Sequence, residues 1–332
     1  MTILPVTRAC ELPVCPPEHR WLVEDLWADE AVGIIGGEPK CGKSFLALDL
    51  VVAVAAGVPC LRRFRPARQG PVLLYAAEDA LHLVRTRLEG ISKAAGVSLA
   101  DLPIQVITAT SLRLDLAEDR AHLQATVDAL HPILLVLDPF VRLHRIDENA
   151  SSEVAPLLAY LRDLQRRFAV AVVLVHHARK GAGPVRGGQA LRGSSELHAW
   201  GDSNLYLRRL EDRLLLSIEH RAAPSITGVP LALRSTKGAV ALHLAEPPAA
   251  VPTAPPSPIV RVEDVLRQSQ RPLALTDLRQ ACRMRMASLC QALATLTTQG
   301  RVHKSAAGYQ LTTASRDPLP ATSLHPEGNG NG

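Results

Sequence analysis

Residues 37–44 read Gly-Glu-Pro-Lys-Cys-Gly-Lys-Ser, a glycine-bounded octet ending in Lys-Ser. Gly37 and Gly42 free the backbone to curl, so that successive N–H groups converge on an anion. At this spacing Lys43 reaches the β- and γ-phosphates of a nucleoside triphosphate, and the Ser44 hydroxyl ligates Mg²⁺. Glu38, Pro39, Lys40 and Cys41 form the body of the curl, where Cys41 need only be small, and Phe45 opens the segment that follows. The chemistry implied is the binding of ATP with Mg²⁺. Three further residues suit work on a triphosphate. Glu78 ends an apolar run at 71–79, Asp138 ends another at 133–138, and His177 follows a third at 170–175, with His176 beside it.

These residues need a frame that brings chain ends together. The run 31–36 reads as a buried strand ahead of the glycine loop, and 45–56 as a helix behind it. Strand, loop, helix is the context in which this motif cradles phosphate. Alternation then continues: strand 71–79, helix 81–95, strand 104–109, helix 117–130, strand 133–138, helix 154–168, strand 170–175. Such alternation predicts an α/β fold with a mostly parallel sheet and helices on both faces. Ligands of these sheets sit at the carboxyl ends of strands, which is where Glu78, Asp138 and His177 fall. Short strands at 205–210, 213–220 and 239–244 read as an antiparallel edge of the same sheet. Asp79 reads as the N-cap of the helix at 81–95. Trp21 and Trp27 read as an apolar cover for the first strand rather than a seat for the nucleotide.

Composition narrows the function classes. The chain has 332 residues, room for one large and one small domain, and 47% are hydrophobic, enough for a buried core. Aromatics at 3% leave few stacking platforms for bases, and a net charge of +5 leans only mildly toward polyanions. Of the six cysteines none forms a C-x-x-C pair, which argues against zinc, and a disulfide framework does not suit a chain of this size. The N-terminus lacks the form of a signal peptide and no apolar run reaches membrane-spanning length, so a cytoplasmic protein without a membrane partner is expected.

Domain boundaries follow from composition. Residues 1–19 carry four prolines and read as an extended lead-in, and 20–246 hold the α/β domain. Six of the twelve residues at 247–258 are proline, the mark of a stiff linker. Residues 259–312 read as three short helices (260–268, 275–282, 286–297) and a β-hairpin, the winged-helix plan. That segment has eight Arg or Lys against three acids. Its third helix is short of groove-reading side chains, so duplex DNA and a protein are both open as its partner. Residues 313–332 are expected to be disordered.

The ordered set Gly37–Ser44, Tyr75-Ala-Ala-Glu-Asp79, Leu137-Asp-Pro-Phe140 with Glu148-Asn-Ala-Ser151, Val175-His-His-Ala-Arg-Lys180 and Leu191-Arg-Gly-Ser-Ser195 resembles the RepA-type plasmid replicative helicases and DnaB-like ATPases of the RecA superfamily, over roughly residues 20–245. The resemblance implies a RecA-like core, a homo-hexameric ring and ATP bound between subunits. It implies that Lys43 and Ser44 hold phosphate and Mg²⁺, Asp138 holds the Mg²⁺ shell, Glu78 activates water and His177 senses the γ-phosphate. Asp138 is followed by Pro139, so the water-activating acid cannot be its neighbour in sequence. Arg221 matches the position of an arginine given to the next subunit, with Arg208 and Arg209 as fallbacks. Two loops would face single-stranded DNA in the channel, one with Arg142 and Arg145, the other with Lys180, Arg186 and Arg192 among five glycines. The activity expected is a DNA-stimulated ATPase motor, a replicative helicase of a plasmid, phage or mobile element. The alternatives are an ATP-switched loader or recombination mediator, and an ATP-modulated transcription regulator.

Overall fold

A computed structural model describes residues 20–177, 195–210, 213–236, 239–245, 257–269, 271–282 and 284–312, with 4, 6–12, 14 and 16 near the start. Two compact units divide at the Glu246–Pro247 bond.

The first unit is built on a nine-stranded sheet in the order β11-β10-β9-β8-β3-β7-β6-β4-β5. Its parallel strands are β3 (Val32–Gly37), β4 (Val72–Ala76), β5 (Ile104–Val106), β6 (Leu134–Asp138), β7 (Ala171–His177) and β8 (Ser203–Leu210). The remaining three, β9 (Arg213–His220), β10 (Ile226–Thr236) and β11 (Ala239–Leu244), run antiparallel. Successive strand residues alternate between two cores, as the pleat requires. Ile35, Leu74, Val136, Val173 and Leu205 meet α1 (Lys43–Ala56) and α2 (Leu81–Ala95) on one face. Ile34, Tyr75, Leu137, Leu174 and Tyr206 meet α3 (Ala117–Leu130), α4 (Ser151–Phe168) and α5 (Ser195–Trp200) on the other. α1 is buried almost all round, which suits a helix with no polar stripe.

Two expectations need correction. β8 is parallel to β3 and lies inside the sheet, so the antiparallel edge begins only at β9. Residues 226–236, not expected as a strand, form β10 between β9 and β11. Ahead of the sheet, β1 (Trp21–Val23) and β2 (Trp27–Ala28) form a small antiparallel pair. Trp27 is fully buried, and a Cβ at Gly33 would stand 1.7 Å from the Ser203 carbonyl oxygen and 2.9 Å from the Trp27 ring.

The second unit has α6 (Pro258–Gln268), α7 (Leu275–Cys282), α8 (Met286–Thr298) and a hairpin of β12 (Val302–Ser305) and β13 (Gly308–Leu311). α6 begins with the Ser257 side chain accepting from the Val260 N–H, followed by proline in the first turn. Its core of Val262, Leu266, Leu278, Leu289, Leu293, Leu296, Val302 and Leu311 lies wholly within the unit. Leu273 bridges to Tyr309, which adds a third extended segment to the hairpin. Most of the proline-rich stretch at 247–258 and all of 313–332 lie outside the described residues.

Candidate active site

β3 delivers the chain into the glycine loop with Gly37 at φ +155°, and a Cβ there would stand 2.3 Å from the Leu207 carbonyl oxygen of β8. Only glycine fits that approach. Gly42 at φ +91° then turns the chain into α1. Lys43 is buried, and its ammonium donates to the carbonyls of Gly37 at 3.0 Å and Glu38 at 2.7 Å. The lysine is thereby held along the inner rim of the loop. Burial lowers its pKa, opposed by the nearby carboxylates of Asp138, Glu78 and Glu38 among others. Cys41 is buried, and burial pushes its thiol up despite the adjacent Lys43, so it acts as filler rather than as a thiolate.

The ends of β4, β6 and β7 close around this loop. Asp138, the last residue of β6, is nearly buried, and burial pushes its carboxyl up to about 6. The Ser44 hydroxyl bonds to that carboxylate and Lys43 stabilises its charge, while Asp79 and Glu78 work against it. The hydroxyl and the carboxylate are the two oxygen ligands that a Mg²⁺ ion shared with phosphate needs from a protein. This donor set therefore fits the implied ion. Among the described residues no group of three or more His, Cys, Asp or Glu forms a closed metal cage.

Glu78 lies two residues beyond β4, and the Ala77 N–H donates to the Asp138 carbonyl at 2.8 Å, which ties the two strand ends together. Glu78, Asp138, Lys43, Ser44 and His177 all line one cavity of about 660 Å³. Strand alternation decides between the paired histidines. His177 faces the cavity in register with Gly37, whereas His176 is buried with its ring edge-on to Phe140 at 6.0 Å. Of the glycine-loop residues, Pro39, Lys40, Cys41, Gly42 and Phe45 also line the cavity.

Some placements differ from expectation. Asp79 does not cap α2, whose first turn has no side-chain cap; it pairs instead with Arg87, whose guanidinium lies 5.4 Å over the Phe45 ring. Both Asp79 and Arg87 line the cavity. Arg209 does so too. Arg221 follows β9 at the opposite end of the sheet, beside Asp202, which bonds to the first residue of β3. Its guanidinium is occupied there by Asp202 at 3.2 Å and by the Ala199 carbonyl at 2.7 Å. Of the two DNA loops, Arg142 and Arg145 are exposed, with Leu143 and His144 buried between them. Lys180, Arg186 and Arg192 lie outside the described residues.

Sequence reasoning missed the apolar wall of the cavity. Leu214, Leu231, Leu233 and Leu242 come from β9, β10 and β11, and a side chain starting at Gly42 would lie 3.8 Å from Leu214 and Leu242. It also missed that Arg142 donates through Nε to the Glu78 carboxylate at 2.9 Å.

Among solved structures the chain is similar to an isolated ATPase domain, at 16% identity and a TM-score of 0.51 over 66% of this chain and 87% of that one. It is similar also to a DnaB-like replicative helicase from a structure concerned with its interactions with primase, at 16% identity and a TM-score of 0.50 over 64% of this chain. The match spans 57% of that helicase's length. At this identity the likeness is one of fold, and the sheet order and the glycine loop give that fold as RecA-like. The family described as "AAA domain" matches residues 4–183, more than half of the sequence. The chain belongs to the AAA domain family.

Proposed function

We propose that this protein is an ATP-hydrolysing, DNA-stimulated motor, and that it acts as a hexameric replicative helicase of a plasmid, phage or mobile element. The observation that carries the reading is the meeting of Glu78 and Asp138, on neighbouring strand ends, above Lys43 in one cavity. One acid sits beside the Ser44 hydroxyl and suits a metal, and the other is more open and free of that duty. A lone phosphate receptor has no use for the second acid.

In this reading the loop N–H groups and Lys43 bind the phosphates, and Ser44 and Asp138 hold Mg²⁺. A Mg²⁺ ion held by Ser44 and Asp138 would supply positive charge against the negative charge that builds as the bond opens. Glu78 orients a water on the γ-phosphorus and takes its proton. The bond to the β-phosphate oxygen breaks, leaving ADP and inorganic phosphate. His177, which lines the cavity at the tip of β7, registers the γ-phosphate and signals to the DNA-binding loops. Arg142 and Arg145, with Lys180, Arg186 and Arg192, are the proposed DNA contacts, and Arg221 remains the arginine offered to a neighbouring subunit.

ATP turnover with and without single-stranded DNA, alongside native mass in the presence of nucleotide, tests this. A DNA-stimulated rate and a six-fold mass are expected. Glu78→Gln should keep nucleotide binding and lose about 10²-fold or more in turnover. Normal hydrolysis by that variant would remove Glu78 from the reaction.

The loader reading draws on one observation in the second unit. The exposed face of α8, with Ala287, Cys290, Gln291 and Ala294, carries no cation, and Arg301 is paired with Glu263 at 2.5 Å. That face suits a protein better than a phosphate backbone. A strand-displacement assay on forked DNA separates the two readings.

A further inference from the structure

The residue that pairs with Glu78 comes from the loop leaving β6, 64 positions away in sequence. Its backbone is tightly held. Phe140 and Leu143 on either side are fully buried, the Leu143 carbonyl accepts from the Leu114 N–H at 2.6 Å, and the His144 ring packs 4.5 Å from Phe140. These anchors leave Arg142 turned outward, with its guanidinium reaching back to the rim of the cavity. Arg145, three residues on, is exposed in the same loop. A single side chain therefore touches the acid of the cavity at one end of a cationic loop.

The pair is weak by construction. The Arg142 side chain is 61% exposed and that of Glu78 is 41% exposed, so water and salt screen both. An incoming phosphodiester, itself a strong partner for guanidinium, competes on favourable terms. While the pair stands, one oxygen of Glu78 is occupied and its charge is cancelled, which leaves less of the carboxylate to orient water. We propose that Arg142 is a positioning residue that restrains Glu78 through this ion pair, and that a nucleic-acid phosphate engaging the loop draws the guanidinium away and releases the acid to water. The inference rests on the ATPase reading above and adds the device by which DNA raises the rate.

The test measures steady-state ATP turnover of the full chain, with and without an oligothymidylate single strand, between low and high salt. Arg142→Ala should raise the rate without DNA about 1.5- to five-fold, the range set by an exposed pair. It should also shrink the stimulation by DNA correspondingly and leave the affinity for a fluorescent ATP analogue unchanged. Wild-type basal turnover should climb as salt screens the pair, and that of the variant should not. Arg142→Gln serves as a second variant of similar bulk, and Arg142→Lys, which keeps the charge, should fall between it and wild type. A merely structural arginine would lower the rate when removed, so a fall or no change with nucleotide binding intact overturns the restraint. If Arg142→Ala is faster but DNA does not stimulate wild type, the restraint stands, and the phosphate trigger and the motor reading both fail. A wild type that hydrolyses no ATP overturns both the inference and the reading beneath it.

Discussion

Asp138 shows most clearly how the site strains against the stability of its own fold. Its carboxyl is pushed up to about 6, chiefly by burial. A raised acid pKa means that the folded chain binds more protons than the unfolded one between about pH 4 and pH 6. Stability from this group is therefore greatest below that window and declines as pH rises through it. Without nucleotide, Asp138→Asn should stabilise the protein at pH 7.5 by ~3 kcal/mol while abolishing turnover, and the gain should vanish near pH 4. Denaturant melts at the two pH values check this, and an equal gain at both would remove the carboxylate's charge as the cause. The same residue was legible from sequence, because an apolar run ending in aspartate fixes both its burial and its place at a strand end. Glu78 and His177 were legible for the same reason. The pairing of Glu78 with Arg142 was not, since it depends on how two loops 64 residues apart meet above the sheet. Nor was the engagement of Arg221 with Asp202, a contact made by the chain's return to the far end of β3.

At the scale of elements, legibility tracked burial on both faces. β3, β4, β6 and β7 are near-continuous apolar runs because helices cover each side, and periodicity alone finds them. β10 escaped because Gly228 and Pro230 interrupt it and its pairing with β9 shifts register between Ile226 and Val229. Those are edge-tolerated irregularities that read as a loop. The leucine wall over the glycine loop went unseen with it, since it exists only once β9, β10 and β11 are side by side. The tryptophans, by contrast, sort by depth. Trp27 is sealed against Gly33, while Trp21 is partly open and meets His220 edge-on at 4.8 Å. Trp27→Ala should cost about 3–5 kcal/mol through the cavity it leaves, and Trp21→Ala markedly less. Denaturant midpoints of the two variants check the ranking, and equal losses would mean that the β1–β2 pair packs as one unit.

For the whole molecule, the question is which unit would carry the proposed response to nucleic acid. The described residues lining the cavity around Lys43 all belong to the unit ending at Glu246. The core of the second unit is likewise its own. Basic composition alone would assign DNA to that second unit, because it holds eight cations against three acids. The structure weakens that inference: Arg301 is committed to Glu263, Lys304 lies 5.7 Å over the Tyr309 ring, and the outer face of α8 is uncharged. Charge count is a property of a segment, whereas binding needs cations aligned on one face. No described helix is long and apolar enough to cross a membrane. A chain ending at residue 246 should keep nucleotide affinity and basal turnover within about two-fold, since a cavity lined within one unit loses no contact. It should also keep its stimulation by single-stranded DNA, because the proposed contacts Arg142 and Arg145 stay in place. Turnover assays on the shortened chain decide the matter: retained turnover with lost stimulation would move the DNA site to the second unit and leave the first as its engine.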